Sequence, residues 1–168
     1  MIAKAFAGAS RKQRRACVVR AVSLFVVDTS IWYAAADSSD ANNAHAKIIL
    51  SSGEVLLTTD HVLLETWVLL GYRINRRAAE KFWEALRAGT AIIEPGGAAD
   101  LAAWQIGAAF RDQDFSIVGR TSLAVIGRLG MERAASLDDD FAVFRFGPNR
   151  RRRLRFCGNK GGIGAWGR

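Results

Sequence analysis

Short continuous apolar runs, separated by helical patterns, constrain this chain more than any other feature. Leu24–Val27 reads LFVV, residues 55–58 read VLLT, and residues 91–93 read AII. Runs this short and this apolar suit strands buried on both faces. Residues 134–137 form a weaker fourth run, and 142–146 reads as an edge strand. Between them the spacing predicts helices over 60–73, with Thr59 or Asp60 as N-cap, and over 76–88, with Asn75 as N-cap and Gly89 just past the end. In the second of these, Ala79, Phe82, Trp83 and Leu86 follow the spacing of one apolar face. Further helices are expected over 98–110 and 116–129, the last closed by Gly130. Strands alternating with helices require parallel pairing, so the expected fold is a three-layer α/β/α sandwich around a mainly parallel sheet.

The charges divide the chain of 168 residues into three parts. Residues 1–22 hold six bases and no acid, and residues 145–168 hold eight bases and no acid. All sixteen acids lie between, with ten bases, which leaves an acidic body flanked by basic ends. The expected organisation is a basic extension over 1–22, one domain over 23–147, and a Gly/Arg-rich tail over 148–168. Arg20 interrupts the apolar stretch CVVRAVSLFVV, and no small-residue cleavage site follows, which argues against a secretion signal. The two cysteines, Cys17 and Cys157, fall in the basic ends and read as reduced thiols of a cytoplasmic protein. Two cysteines cannot build a disulfide scaffold, and no apolar run reaches the ~18 residues of a membrane-spanning helix. The basic ends could hold RNA nonspecifically, although few aromatics are interleaved for base stacking.

Two carboxylates sit directly after expected strands: Asp28 after LFVV and Asp138 after ASL. Either alone could be a turn or N-cap residue. Both together point to one crevice, because an open parallel sheet gathers the residues beyond its strand ends. There like charges repel unless a cation neutralises them. Glu65 is the third candidate, since its helix, HVLLETWVLL, is otherwise largely apolar and glutamate is rarely buried without a partner. His61 shares its face, but no further histidine or cysteine completes a zinc site, so His61 reads as a first-turn helix residue. An all-oxygen donor set suits Mg²⁺ or Mn²⁺, ions that activate water for phosphodiester hydrolysis. A phosphoacceptor receiver domain also places an aspartate after a strand. It needs an acidic pair after its first strand and a lysine after its last, and both are missing here.

The segments VVDTSIW, TTDHVLLETW and DQDFSIVGRTSLAVIGRLGMERAASLDDDFAVF occur in the order and spacing of the PIN-domain ribonucleases, and resemble the VapC toxins of bacterial toxin–antitoxin pairs in particular. The resemblance spans about 23–147. It implies a PIN-like fold and a Mg²⁺- or Mn²⁺-dependent endoribonuclease acting on structured RNA. It also implies a homodimer and a cognate antitoxin protein that blocks the site. Asp28, Glu65 and Asp138 match the family's first, second and fourth acids, which makes them the expected catalytic and metal-binding residues. Ser30 is expected to support the site by hydrogen bonding, and Asp140 is an auxiliary acid. The family's third acid follows a DFS segment, in a pattern like DFSLVDATS. Here that position is Gly119. The departure implies a weakened ribonuclease or an inactive domain that still dimerises and binds antitoxin, unless Asp114 fills the gap.

Overall fold

The computed structural model describes residues 24–97, 100–147, 149 and 151–157. Residues 1–22, expected as a basic extension, and 158–168 of the expected tail lie outside the described residues, as does Cys17.

The order of elements alternates as the apolar runs require. Strand β1 is Leu24–Val27, followed by helices α1 (Thr29–Ala36) and α2 (Asn43–Leu50). Strand β2 (Val55–Thr59) leads into α3 (Asp60–Arg73) and α4 (Arg76–Arg87), and β3 is Ile92–Glu94. Helices α5 (Asp100–Ala109) and α6 (Ile117–Leu129) precede β4 (Arg133–Ala135). The chain then forms the one-turn helix α7 (Asp140–Val143) and three short strands, β5 (Arg145–Phe146), β6 (Arg152–Arg153) and β7 (Arg155–Cys157).

Five strands pair in the order β3-β2-β1-β4-β7, and every pairing is parallel. β1 is therefore central, and its alternation feeds two cores. Phe25 and Val27 pack with Leu56, Ile31, Trp32, Val62, Leu70 and Phe82 on the α1–α4 side. Val26 packs with Leu57, Leu123, Val125, Phe141 and Phe144 on the α5–α7 side. A run apolar at every position is what a strand with helices on both faces needs, and the result is the expected α/β/α sandwich. Among the described residues, no helix is long and apolar enough to cross a membrane.

Local caps set the helix starts. Thr59 Oγ1 accepts from Val62 N, Asn75 Oδ1 from Ala78 N, and Ser116 Oγ from Gly119 N, at 2.9–3.1 Å. Gly130, in the left-handed region at φ 64°, ends α6, where a side chain would be strained.

Several expectations are corrected. Trp83 is 45% exposed, so the buried stripe of α4 is Ala79, Phe82 and Leu86. Helices α1 and α2 were not anticipated. The expected edge strand at 142–146 divides into α7 and β5, because the Asp138 carboxylate accepts from Asp140 N and turns the chain into a helical turn there. β5 pairs antiparallel with β6 in a separate ribbon, and the edge beside β4 is taken by β7. The domain thus continues past residue 147 into the segment expected as a tail. Leu154 is buried in the α5–α7 core while Arg153 and Arg155 on either side are exposed. Charged residues on a sheet edge blunt it against further pairing, and here the arginines hide two short strands within a basic stretch.

Candidate active site

The carboxyl ends of β1 and β4 lie side by side, and the loops leaving them are laced together. The backbone ladder runs one step past β1, where Asp28 N donates to Ala135 O at 2.9 Å. Asp28 then N-caps α1, its Oδ2 accepting from Ser30 N at 3.2 Å and Ser30 Oγ at 2.8 Å. A third donor, Ser136 Oγ, reaches the same oxygen at 3.1 Å from the end of β4. Both hydroxyls also accept from the β4 loop, Ser30 Oγ from Leu137 N at 2.9 Å and Ser136 Oγ from Asp138 N at 3.0 Å. The cap reading of Asp28 is therefore met.

Asp28 is only 8% exposed. Burial pushes its carboxyl above the ordinary carboxylate range, against the lowering effect of its bonds to Ser30, Thr29 and Ser136. Asp138 is exposed, and its Oδ1 accepts from Asp140 N at 3.0 Å. Asp140 is half-buried, and its carboxyl is raised first by burial and then by the charges of Asp138, Asp114, Asp28 and Asp139. Five aspartates thus share one electrostatic neighbourhood. Asp114, exposed in the loop before α6, joins it through its charge on Asp140.

Glu65 reaches this edge from α3. Its Oε2 accepts from Thr29 Oγ1 at 2.5 Å, which links α3 to the residue next to Asp28. His61, one turn earlier, turns instead towards α6. Its Nδ1 lies 3.0 Å from Thr121 Oγ1. The Thr121 hydroxyl already donates to Val118 O, so Nδ1 is the donor to it. His61 is then a first-turn residue that ties α3 to α6. Gly119 places only its backbone N–H in this region, bonded to Ser116 Oγ.

Among the described residues, no three His, Cys, Asp or Glu side chains stand close enough to hold one metal ion between them. Ser136 is the partner that the sequence reading missed. Its signal was its place, just past the end of a strand and two residues before the acid run.

The PIN domain family matches residues 25–147. The chain is 36% identical over 126 residues to a protein named 23S rRNA-specific endonuclease VapC20 in Mycobacterium tuberculosis strain CDC 1551, covering 73% of this chain and 95% of that protein. The same identity and coverage hold for the protein of that name in strain H37Rv. A crystal structure of Mycobacterium tuberculosis VapC20, described as a sarcin–ricin loop cleaving toxin, superposes with a TM-score of 0.65 at 33% identity. It covers 70% of this chain and 92% of that one.

Proposed function

The chain belongs to the PIN-domain family, among the VapC toxins, and from that premise we propose that it is a metal-dependent endoribonuclease acting on a structured loop of ribosomal RNA in the cytoplasm. The observation that carries this reading is the laced β1–β4 edge, where Asp28 is buried and held by three donors amid four further aspartates. Identity over 95% of a relative named for cleaving 23S rRNA supports the substrate class. The sarcin–ricin stem-loop is the substrate to try first.

The residues fit a divalent ion in their donor chemistry. All are carboxylates; burial raises Asp28, and burial with repulsion from neighbouring aspartates raises Asp140, a cost that a divalent cation relieves. Asp28, Glu65 and Asp138 would hold Mg²⁺ or Mn²⁺ only once drawn together around it, since they stand too far apart to do so here, with Asp140 and Asp114 as auxiliary acids. When bound, such an ion supplies charge neutralisation and an acidified water. In hydrolysis the water oxygen bonds to phosphorus, one P–O ester bond breaks, and the leaving oxygen takes up a proton. Ser30 and Ser136 keep Asp28 in one orientation for this, Ser136 fixes the backbone that carries Asp138, and Thr29 orients Glu65.

A second reading, an inactive domain that still binds antitoxin, draws on Gly119 and on the looseness of the acid group. Cleavage of the stem-loop with Mg²⁺ or Mn²⁺, lost on chelation and in Asp28→Asn, supports the enzyme. Absence of cleavage with the fold intact supports the inactive domain.

The reading includes a homodimer and a cognate antitoxin. Leu64, Val68 and Tyr72 form an exposed stripe along α3, and with Ile117 they line an apolar groove of about 510 Å³. An apolar stripe of this kind suits a subunit interface. Val68→Glu is expected to give a monomer by light scattering, and a variant that remains dimeric assigns the interface elsewhere.

A further inference from the structure

Arg120 follows Gly119 in the first turn of α6, and its guanidinium lies against α5. A Cβ built on Gly107 would stand 2.5 Å from Nη1 and 2.8 Å from Cζ, so the helix leaves out a side chain where the arginine rests. Nε is buried and has no hydrogen-bond partner. Arg120 takes part in none of the ion pairs among the described residues.

Each feature is unfavourable within the chain alone. A glycine in mid-helix costs backbone entropy. A cation in the first turn faces the positive end of the helix dipole. A buried N–H without an acceptor forfeits its hydration. An anion from outside the chain that meets the guanidinium offsets the second and third, and the glycine leaves the room in which the guanidinium rests. Its planar fork of donors fits a phosphate better than any other common anion. Beside it opens a cavity of about 230 Å³ lined by Ala103, Trp104, Ile117, Arg120 and Thr121. Trp104 is 74% exposed, a broad ring face with nothing apolar covering it.

We propose that Arg120 and Trp104 form an RNA contact site, with the guanidinium on a backbone phosphate and the indole under the adjoining base. The proposal rests on the ribonuclease reading and gives it a second part. Five aspartates repel a polyanion, and the same stretch of chain that lacks an acid at 119 supplies a cation at 120. Phosphate contacts of this kind position the backbone without reading sequence, and stacking on a ring tolerates any base.

The test is binding of a fluorescent sarcin–ricin stem-loop by anisotropy, in EDTA so that cleavage plays no part, across a salt series. Arg120→Ala is expected to weaken binding about tenfold and to lower the salt slope by about one. Arg120→Lys should keep the slope and recover part of the affinity, because it returns the charge without the fork. Trp104→Ala should weaken binding with the slope unchanged. Gly107→Ala should weaken binding while raising Tm, since alanine favours the helix and displaces the guanidinium. A merely structural arginine would move stability and affinity together. Wild-type affinity and slope in Arg120→Ala overturn the proposal. So does loss of the dimer in that variant by light scattering, which would assign the guanidinium to a carboxylate of a second copy. If the wild-type chain binds no RNA in EDTA, this proposal is overturned, while the ribonuclease reading on which it rests is decided separately by cleavage in Mg²⁺ or Mn²⁺.

Discussion

On the β1–β4 side of the candidate site, Asp28 is met by three donors, and two serine hydroxyls lock its loop to the one carrying Asp138. On the α3–α6 side, Glu65 is met by the Thr29 hydroxyl, and position 119 offers only a backbone N–H. One side is preorganised by bonds that cross the sheet, and the other carries a glycine where the motif resemblance implies an acid. The difference teaches that the anchoring of Asp28 does not need an acid at 119, because its donors come from Ser30 and Ser136.

The comparison breaks most readily at Asp28. Replacement by alanine strands Ser30 N–H and two hydroxyls, each at ~1–3 kcal/mol if left unsatisfied. Cleavage should fall on the order of 100-fold or more, the scale on which single electrostatic groups matter in catalysis. Asp28→Asn separates the two effects, because it keeps the shape and removes the charge. Cleavage of the stem-loop retained by a folded Asp28→Asn protein would relocate the chemistry to the α3–α6 side.

The β4 side depends in turn on β7. Leu154→Ala should cost about 2–3 kcal/mol, as for a buried leucine in a packed core. Ending the chain after Arg150 removes both β6 and β7, and Tm should drop by about 10 °C or more. Unchanged melting of the shortened chain would show that β4 holds its place without an edge partner.

Gly119→Asp sharpens the contrast from the deficient side. Cleavage should rise about tenfold, equivalent to ~1.4 kcal/mol of barrier. The stability gain should be small. An acid at this position completes a capping box and faces the helix dipole favourably, but its Cβ meets Ser116 Oγ at 3.2 Å, so the serine must give way slightly. Equal cleavage by both proteins, measured in Mg²⁺ and in Mn²⁺, would mean that position 119 is not where a ligand is wanted.

The smallest effect is expected at Thr66, beside Glu65. Its hydroxyl is buried without a partner. Thr66→Val should leave cleavage unchanged and raise stability by less than ~1 kcal/mol, because it removes an unsatisfied polar group at nearly constant volume. A loss of cleavage in this variant would show that the α3 side is as finely held as the β1 side.

Much of the molecule was legible where the physics is local. Asp28 and Asp138 could be placed because each follows a short apolar run, and a parallel sheet collects such positions at one edge. Asn75, and Thr59 as one of two candidates, were readable as caps because a cap acts within three residues of itself. Glu65 could be singled out because a carboxylate in an apolar helix needs a partner. Which partner was not readable, since Thr29 lies 36 positions away.

What the sequence determined by itself is the alternation of strands and helices, most helix starts, and the acids at the strand ends. All of these follow from the side-chain period and from backbone groups satisfied nearby. The tertiary structure alone decided that Arg155–Cys157 closes the sheet beside β4, that Ser136 bridges Asp28 and Asp138, and that Arg120 rests in the space left by Gly107. Each depends on which strands and helices become neighbours, and that is fixed by how buried faces share two cores. A run of arginines around Leu154 gives no local sign that its single apolar residue will be needed there.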